Sequence, residues 1–163
     1  MGKTYSGKYK VKRPEKYNGD ASNVIYRSMW EKDTFRWLEK QSWVRWWNSE
    51  GTVVSYMCAT DKKGHRYFVD LTIRTTDGKT ILVEIKPYNQ TIAPKSKNLN
   101  ETLTYIKNIS KWKYAQRYCE RREGYRFEVW TEKTLVGLGV QKASFKRKTK
   151  AGKRTWKSFK KKV

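Results

Sequence analysis

Tyr67-Phe68-Val69-Asp70-Leu71-Thr72-Ile73-Arg74-Thr75-Thr76-Asp77-Gly78-Lys79-Thr80-Ile81-Leu82-Val83-Glu84-Ile85-Lys86-Pro87 decides the fold of this chain. It contains two strand-like runs, 67–75 and 80–86, around the turn residues Thr76-Asp77-Gly78. A two-residue loop at Asp77-Gly78 would set Asp70 opposite Ile85 and Leu71 opposite Glu84, mixing apolar and charged groups on both faces. A three-residue loop with Gly78 left-handed sets Thr75 opposite Lys79 and Asp70 opposite Glu84. One face then carries Leu71, Ile73, Ile81, Val83 and Ile85, and is wholly apolar. The other carries Phe68, Asp70, Thr72, Thr80, Leu82, Glu84 and Lys86. A slip of one residue moves every side chain to the opposite face, so the apolar face selects the three-residue register.

That register sets two carboxylates against each other with Lys86 two residues along on the same side. Like charges across a strand pair destabilise it. A divalent cation between Asp70 and Glu84 removes the cost, and Mg²⁺ is often held by one or two carboxylates plus substrate phosphates. Lys86 could orient or deprotonate an attacking water, or neutralise charge at phosphorus. The bland alternative makes Asp70 a strand-end polar residue and Glu84–Lys86 a solvated ion pair. Against it, Glu84-Ile85-Lys86 ends a strongly apolar run, and a third acid, Glu31, lies at the margin of an apolar helix face.

Working outward, residues 1–21 read as a basic, mostly irregular arm containing Pro14 and Asn18-Gly19-Asp20. A helix is expected from Ser22-Asn23 to about Lys40, with Trp30, Thr34, Trp37 and Leu38 on one face and Glu31 aligned with Phe35 and Leu38. Short strands are expected at 44–47 and 53–56, and a Lys-rich loop at 92–98 after Pro87. A helix follows over about 100–123, with Leu103, Ile106, Ile109, Trp112 or Lys113, and Ala115 toward the core and Ser110 capping a second segment. Gly124 stops it. A strand over 125–131 and a short helix over 132–138 complete the pattern. From Gln141 onward there is no Asp or Glu, and Lys and Arg dominate, with Phe145, Trp156 and Phe159 among them.

The 163 residues suit one domain with a tail, and an aromatic content of 15% argues against a disordered chain. The formal net charge of +23 points to a polyanionic partner, nucleic acid first. No apolar run is long enough to span a bilayer, and no amphipathic helix pairs a clean apolar face with a lysine face, so no membrane role is expected. Cys58 and Cys119 lack CxxC spacing and have a single His, His65, to join them. Neither a zinc site nor a disulfide is expected from that spacing, and no small-molecule cofactor is indicated.

Tyr67-Phe68-Val69-Asp70 followed by Val83-Glu84-Ile85-Lys86-Pro87 resembles the core motif of PD-(D/E)XK nucleases. Arg27-Ser28-Met29-Trp30-Glu31 resembles the RSxxE helix of the TnsA-like nucleases. Across about residues 1–140 the chain resembles the head-completion nucleases of T-even-type tailed phages. The stretches that carry this are Met1-Gly2-Lys3-Thr4-Tyr5, Ile25-Tyr26-Arg27-Ser28-Met29-Trp30-Glu31, His65-Arg66-Tyr67-Phe68, Ile109-Ser110-Lys111-Trp112-Lys113 and Val129-Trp130-Thr131-Glu132. Val69 stands where the motif often has Pro, and Glu84 where TnsA has Gln. The resemblance implies an α/β, restriction-endonuclease-like core: a mixed central sheet flanked by helices, over residues 22–140, with a basic tail at 141–163 outside it.

The resemblance also implies a Mg²⁺- or Mn²⁺-dependent endodeoxyribonuclease. Asp70 and Glu84 would be metal ligands, Lys86 the catalytic lysine, and Glu31 a further acid that binds metal or positions water. Its partners would be DNA and phage head or neck proteins, and its place the virion or the host cytoplasm during assembly, before the tail joins. A non-catalytic DNA-binding protein of the head or neck is the rival, though it has no need of the complete acid set with Lys86. An RNA-binding protein lacks any recognisable module signature.

Further candidates are open to two readings each. Gln90 could reach the scissile phosphate or be a loop residue. Arg27, one turn before Glu31, reads by default as its i,i+4 ion-pair partner. Lys111 and Lys113 could track a phosphate backbone or lie on a solvated helix face. His65 could serve as acid or base, or hold a structural or phosphate-side place. Trp156 and Phe159 could stack on single-stranded bases, or the tail could stay disordered.

Overall fold

A computed structural model describes residues 5–142. Its centre is a mixed four-stranded sheet in the order β3-β6-β7-β8: β3 (Val44–Ser49), β6 (Leu71–Thr75), β7 (Thr80–Ile85) and β8 (Tyr125–Trp130). The first three are antiparallel neighbours, and β8 lies parallel to β7. The β6–β7 register is the one the apolar face selects, with Leu71 opposite Val83 and Ile73 opposite Ile81. Gly78 takes φ 87°, a conformation that L side chains rarely adopt, and Thr75 N–H donates to the Lys79 carbonyl at 2.9 Å. The expected apolar face is realised: Leu71, Ile73, Ile81 and Val83 are fully buried with Phe35, Leu38 and Trp47, and Ile85 packs at the edge.

The run expected as one strand over 67–75 is two strands in different sheets. β5 (Gly64–Phe68) pairs with β4 (Val53–Met57) in a separate two-stranded sheet, and the chain passes through Val69-Asp70 before β6 begins. The break follows from burial: β5 alternates between exposed and buried residues, whereas Leu71, Thr72 and Ile73 are all buried because both faces of the central sheet are covered.

The N-terminal segment corrects the reading of residues 1–21 as mostly irregular. β1 (Gly7–Tyr9) pairs with β2 (Val24–Tyr26), a 3-10 turn spans Pro14–Lys16, and Tyr9 is buried against Phe35 and Trp47. Glu39 holds this segment, accepting from Tyr9 Oη at 2.6 Å and from the N–H groups of Lys12 and Arg13 at 2.8 Å. The first helix starts later than expected. Ser22 does not cap it: Asp20 takes the Ser22 N–H and hydroxyl in a local turn, and 24–26 becomes strand. Ser28 is the cap of α1 (Met29–Lys40), its hydroxyl accepting from Glu31 N–H at 3.1 Å.

α2 (Leu99–Glu120) is one continuous helix. Ser110 does not cap a second segment; its hydroxyl bonds back to the Ile106 carbonyl at 3.0 Å and accepts from Ala59 N–H at 3.2 Å. The expected core positions Leu103 and Ile109 are exposed. Ala115 is buried as expected, and Asn108, Ser110 and Cys119 are buried with it where α2 packs across β4 and β8. This second core joins Val54, Tyr56, Tyr67, Val69 and Leu82 to Ala115 and Cys119. α3 (Glu132–Leu138) follows β8 behind a Thr131 capping box, ends at Gly139, and matches the expected range. Among the described residues no helix is long and apolar enough to cross a membrane. The basic tail expected at 141–163 lies outside the described residues from 143 onward.

Candidate active site

The site forms where the chain leaves β5 for β6. Asp70 continues the β6–β7 register opposite Glu84, but its backbone carbonyl accepts from Glu50 N–H at 3.2 Å. Its side chain takes the place of a ladder bond, Oδ2 accepting from Ile85 N–H at 2.8 Å. Asp70 is half-buried, and its carboxyl is held well above the usual range, first by burial and then by the Glu84 charge.

Glu84 is buried, at 3% exposure, yet each of its oxygens has a partner. Oε2 accepts from the buried Tyr67 hydroxyl, and Oε1 lies 3.1 Å from Lys86 Nζ. Burial and the Glu84 charge push the Tyr67 phenol up, so it stays a donor. Lys86 is partly open to solvent, and its own N–H donates to the Trp130 carbonyl of β8 at 3.0 Å. Asp70, Glu84 and Lys86 therefore share one side of the hairpin's open end, as the register argument requires.

Glu31 faces the same place from the start of α1, near enough to raise the Asp70 carboxyl. Its oxygens are engaged locally: Oε2 accepts from Arg27 N–H at 2.8 Å and Oε1 from Ser28 Oγ at 3.3 Å. Burial lifts its own carboxyl above the usual range, opposed by those two hydrogen bonds. The default ion pair of Arg27 with Glu31 is replaced. The Arg27 guanidinium donates to Glu50 at 2.7 and 3.2 Å, which holds its pKa up, and Glu31 receives the backbone N–H. Glu50, left-handed at φ 55° in the β3–β4 connection, was not singled out by the sequence. Only the fold brings it beside Arg27.

Lys111 reaches this place from α2. Its ammonium lies 5.4 Å from the centroid of the Tyr67 ring, and burial lowers its pKa while Glu84 and Asp70 pull it back up. Lys113, two positions on, is exposed on another face of the helix. Gln90 ends a 3-10 turn, Tyr88–Gln90, and is exposed on a groove lined also by Ile92, Asn98, Tyr105 and Asn108. Among the described residues, no hydrogen bond joins it to Asp70, Glu84 or Lys86. His65 lies away from the carboxylates, its Nε2 at 2.7 Å from Asp61 Oδ2 and its ring 5.6 Å from that of Tyr56. Tyr67 is the contributor whose role sequence reasoning missed; alternation along β5 predicts that it is buried but not that its hydroxyl ends on Glu84.

A mixed sheet flanked by helices, carrying an acid, an acid-x-lysine and a converging helix glutamate, defines a nuclease-type α/β core. Residues 41–132, more than half of the chain, match the family described as the TnsA-like endonuclease N terminal, and the chain belongs to that family. The matched span includes Asp70, Glu84, Lys86 and Lys111 and begins after Glu31. The chain is also similar to the head completion nuclease of Enterobacteria phage T4, 38% identical over 149 residues that cover 85% of this chain and 99% of that protein.

Proposed function

We propose that this protein is a divalent-metal-dependent DNA endonuclease that acts in phage head completion, in the host cytoplasm during assembly. The observation that carries the chemistry is the placement of Asp70 and Glu84 across one hairpin with Lys86 beside them. The donor set fits the ion: two carboxylates supply only oxygen, which suits Mg²⁺ or Mn²⁺, and burial followed by the Glu84 charge lifts the Asp70 carboxyl, a cost that a cation between them offsets. When bound, the ion supplies Lewis-acid stabilisation of charge on the phosphate and a more acidic water. The net reaction adds one water across a phosphodiester: an oxygen–phosphorus bond forms, the ester bond breaks, and the leaving oxygen ends as a hydroxyl.

The chain's own residues do the rest. Tyr67 fixes the orientation of Glu84, and Ile85 N–H fixes that of Asp70. Lys86 sets a positive charge at the edge of the site, where it orients water and offsets charge developing at phosphorus. Lys111 offers a second cation from α2 to a phosphate entering over Tyr67. Glu31 lies behind these groups as an acid that positions water or completes the metal site. The net charge of +23 supplies sequence-independent attraction to the DNA backbone, to which the acid-free tail contributes. Head or neck proteins are the expected protein partners.

Supercoiled plasmid incubated with and without Mg²⁺ tests this reading. Wild type should nick or linearise it only with the metal, and Asp70→Ala should not. Cleavage by Asp70→Ala at the wild-type rate would overturn the assignment. Tight plasmid binding without cleavage in Mg²⁺ or Mn²⁺ would favour a structural DNA-binding role.

A further inference from the structure

We infer that the turn of the β4–β5 hairpin is a zinc site, formed by Cys58, Asp61 and His65 and separate from the carboxylate centre. Among the described residues, these three form a group of His, Cys, Asp or Glu side chains whose ligand atoms all lie within 4.8 Å of one another. The expectation of no zinc site rested on cysteine spacing. The fold instead combines one thiol with an imidazole and a carboxylate, while Cys119 stays buried in the second core.

The chemistry favours zinc over the ion proposed at Asp70 and Glu84. A thiolate and an imidazole are soft and borderline ligands, which Mg²⁺ takes poorly and Zn²⁺ takes well. Ideal tetrahedral coordination spaces its ligand atoms by about 3.3–3.6 Å. The ligand atoms lie within 4.8 Å of one another, with Asp61 and His65 at 2.7 Å, so coordination requires that contact to open and the thiol to approach by about an ångström. Thiolate, carboxylate and neutral imidazole together balance the two charges of the ion. Cys58 closes the buried side, and half-exposed His65 and exposed Asp61 leave a fourth position to water.

The loop that carries the ligands is tied down by its own hydrogen bonds. Cys58 N–H donates to the Lys63 carbonyl at 2.9 Å, and Lys62 N–H to the Cys58 carbonyl at 2.8 Å. Lys62 is left-handed at φ 55°, and Lys63 N–H donates to Asp61 Oδ1 at 3.0 Å. Ala59 N–H is tied to Ser110 of α2, and the His65 ring lies on that of Tyr56. Little ordering entropy therefore remains to oppose binding. The Thr60 hydroxyl lies 3.0 Å from the Cys58 sulfur and adds a polar contact at the ligand-bearing turn.

The test uses the full chain without an affinity tag, stripped with a chelator and dialysed. Zn²⁺ is titrated in competition with a chromophoric indicator, and Co²⁺ is added separately to read thiolate-to-cobalt charge-transfer absorption. Wild type should hold one equivalent of zinc and show the thiolate band. His65→Ala and Asp61→Ala should each weaken binding by roughly tenfold or more. Both replace solvent-facing side chains and keep the test valid should Cys58→Ser fail to fold. Asp70→Ala should keep the equivalent, which separates this site from the catalytic reading. Binding unchanged in His65→Ala and Asp61→Ala, a wild type that does not outcompete the indicator, or loss of the equivalent in Asp70→Ala would each overturn the proposal.

Discussion

The β4–β5 and β6–β7 hairpins are consecutive in sequence, antiparallel and joined by only Val69 and Asp70, yet they place their polar groups at opposite ends. β6–β7 lies inside the central sheet with both faces covered. Its closed end is a tight Thr76-Asp77-Gly78 turn, and its acids stand at the open end, where strand pairing stops. β4–β5 is covered by α2 on one face only, and its polar ligands gather in the turn. The difference shows what strand pairing permits. A buried strand interior has its backbone groups satisfied by neighbours and admits few charges. Charges therefore collect where a ladder ends or a turn opens. At the open end of β6–β7 the Asp70 side chain substitutes for the missing backbone partner of Ile85, which fixes an acid at the edge of an otherwise apolar hairpin.

Removing the groups at one end but not at the other should separate the hairpins most sharply. Asp70→Ala and Glu84→Ala should abolish detectable plasmid cleavage. Lys86→Ala should slow it by about 10²–10⁴-fold, the range typical of a positioned acid–base or charge-stabilising group. His65→Ala should cut at the wild-type rate. Initial rates at saturating DNA, with circular dichroism to confirm folding, decide this. If His65→Ala were as damaged as Lys86→Ala, the two ends would not be functionally distinct.

A smaller effect comes from a side-chain hydrogen bond that ties the hairpins together. Tyr67 belongs to β5, but its hydroxyl ends on Glu84 of β7. Tyr67→Phe removes that donor and leaves the ring in the second core. Loss of a group that orients a metal ligand typically costs 10–100-fold, and the defect should be partly recovered by raising the Mg²⁺ concentration. A variant as active as wild type at limiting Mg²⁺ would mean that Lys86 alone holds Glu84.

The contrast between the hairpins also explains what was legible in the sequence. The β6–β7 register is readable because one face is wholly apolar and Gly78 allows the three-residue turn; that register sets Asp70, Glu84 and Lys86 on one side. The split of the run over 67–75 was not readable, since Tyr67-Phe68-Val69 and Leu71-Thr72-Ile73 have equal strand propensity and only pairing partners tell them apart. α2 was placed within a few residues, but Leu103 and Ile109 follow helical spacing as well as Ala115 and Cys119 do. Where the sheet stops beneath a helix is a tertiary fact. Ser22-Asn23 carries a good capping signal, yet Asp20 captures it in a turn. Helical spacing pairs Arg27 with Glu31, the nearest acid, whereas Glu50, far off in sequence, takes its guanidinium.

Lys111 and Lys113 sharpen the same comparison on α2, one facing the carboxylate end and the other facing solvent. Lys111→Ala should weaken DNA binding several-fold and lower the slope of log affinity against log salt by about 1, as expected for one lost phosphate contact. Lys113→Ala should change both by much less. Fluorescence anisotropy over a salt series reads both quantities, ideally in an Asp70→Ala background that prevents cutting. Equal effects from the two lysines would assign them to general charge rather than to the site.

The smallest effect concerns stability, and its sign follows from the crowding at the open end. Burial and Glu84 raise the Asp70 carboxyl above its ordinary value, and burial raises that of Glu31. In the window between the ordinary and the raised values the folded protein holds protons that the unfolded chain has released. The stabilisation this gives is fully present below the ordinary carboxylate range and is lost as pH rises through the raised values. Metal-free protein should therefore lose stability with rising pH in that window. Other carboxylates, such as Asp20, Asp61 and Asp77, are shifted downward and act with the opposite sign at more acidic pH, so the windows separate. Thermal melts of wild type and Asp70→Asn in chelator should diverge as pH rises, the variant being flatter, by about a few degrees in Tm for a shift of this kind. Adding Mg²⁺ should flatten the wild-type curve alone, because the ion takes over the proton's role between the two carboxylates. Parallel curves for the two proteins would mean that neither burial nor Glu84 raises the Asp70 carboxyl in solution, and the case for a cation between the two acids would lose its physical basis.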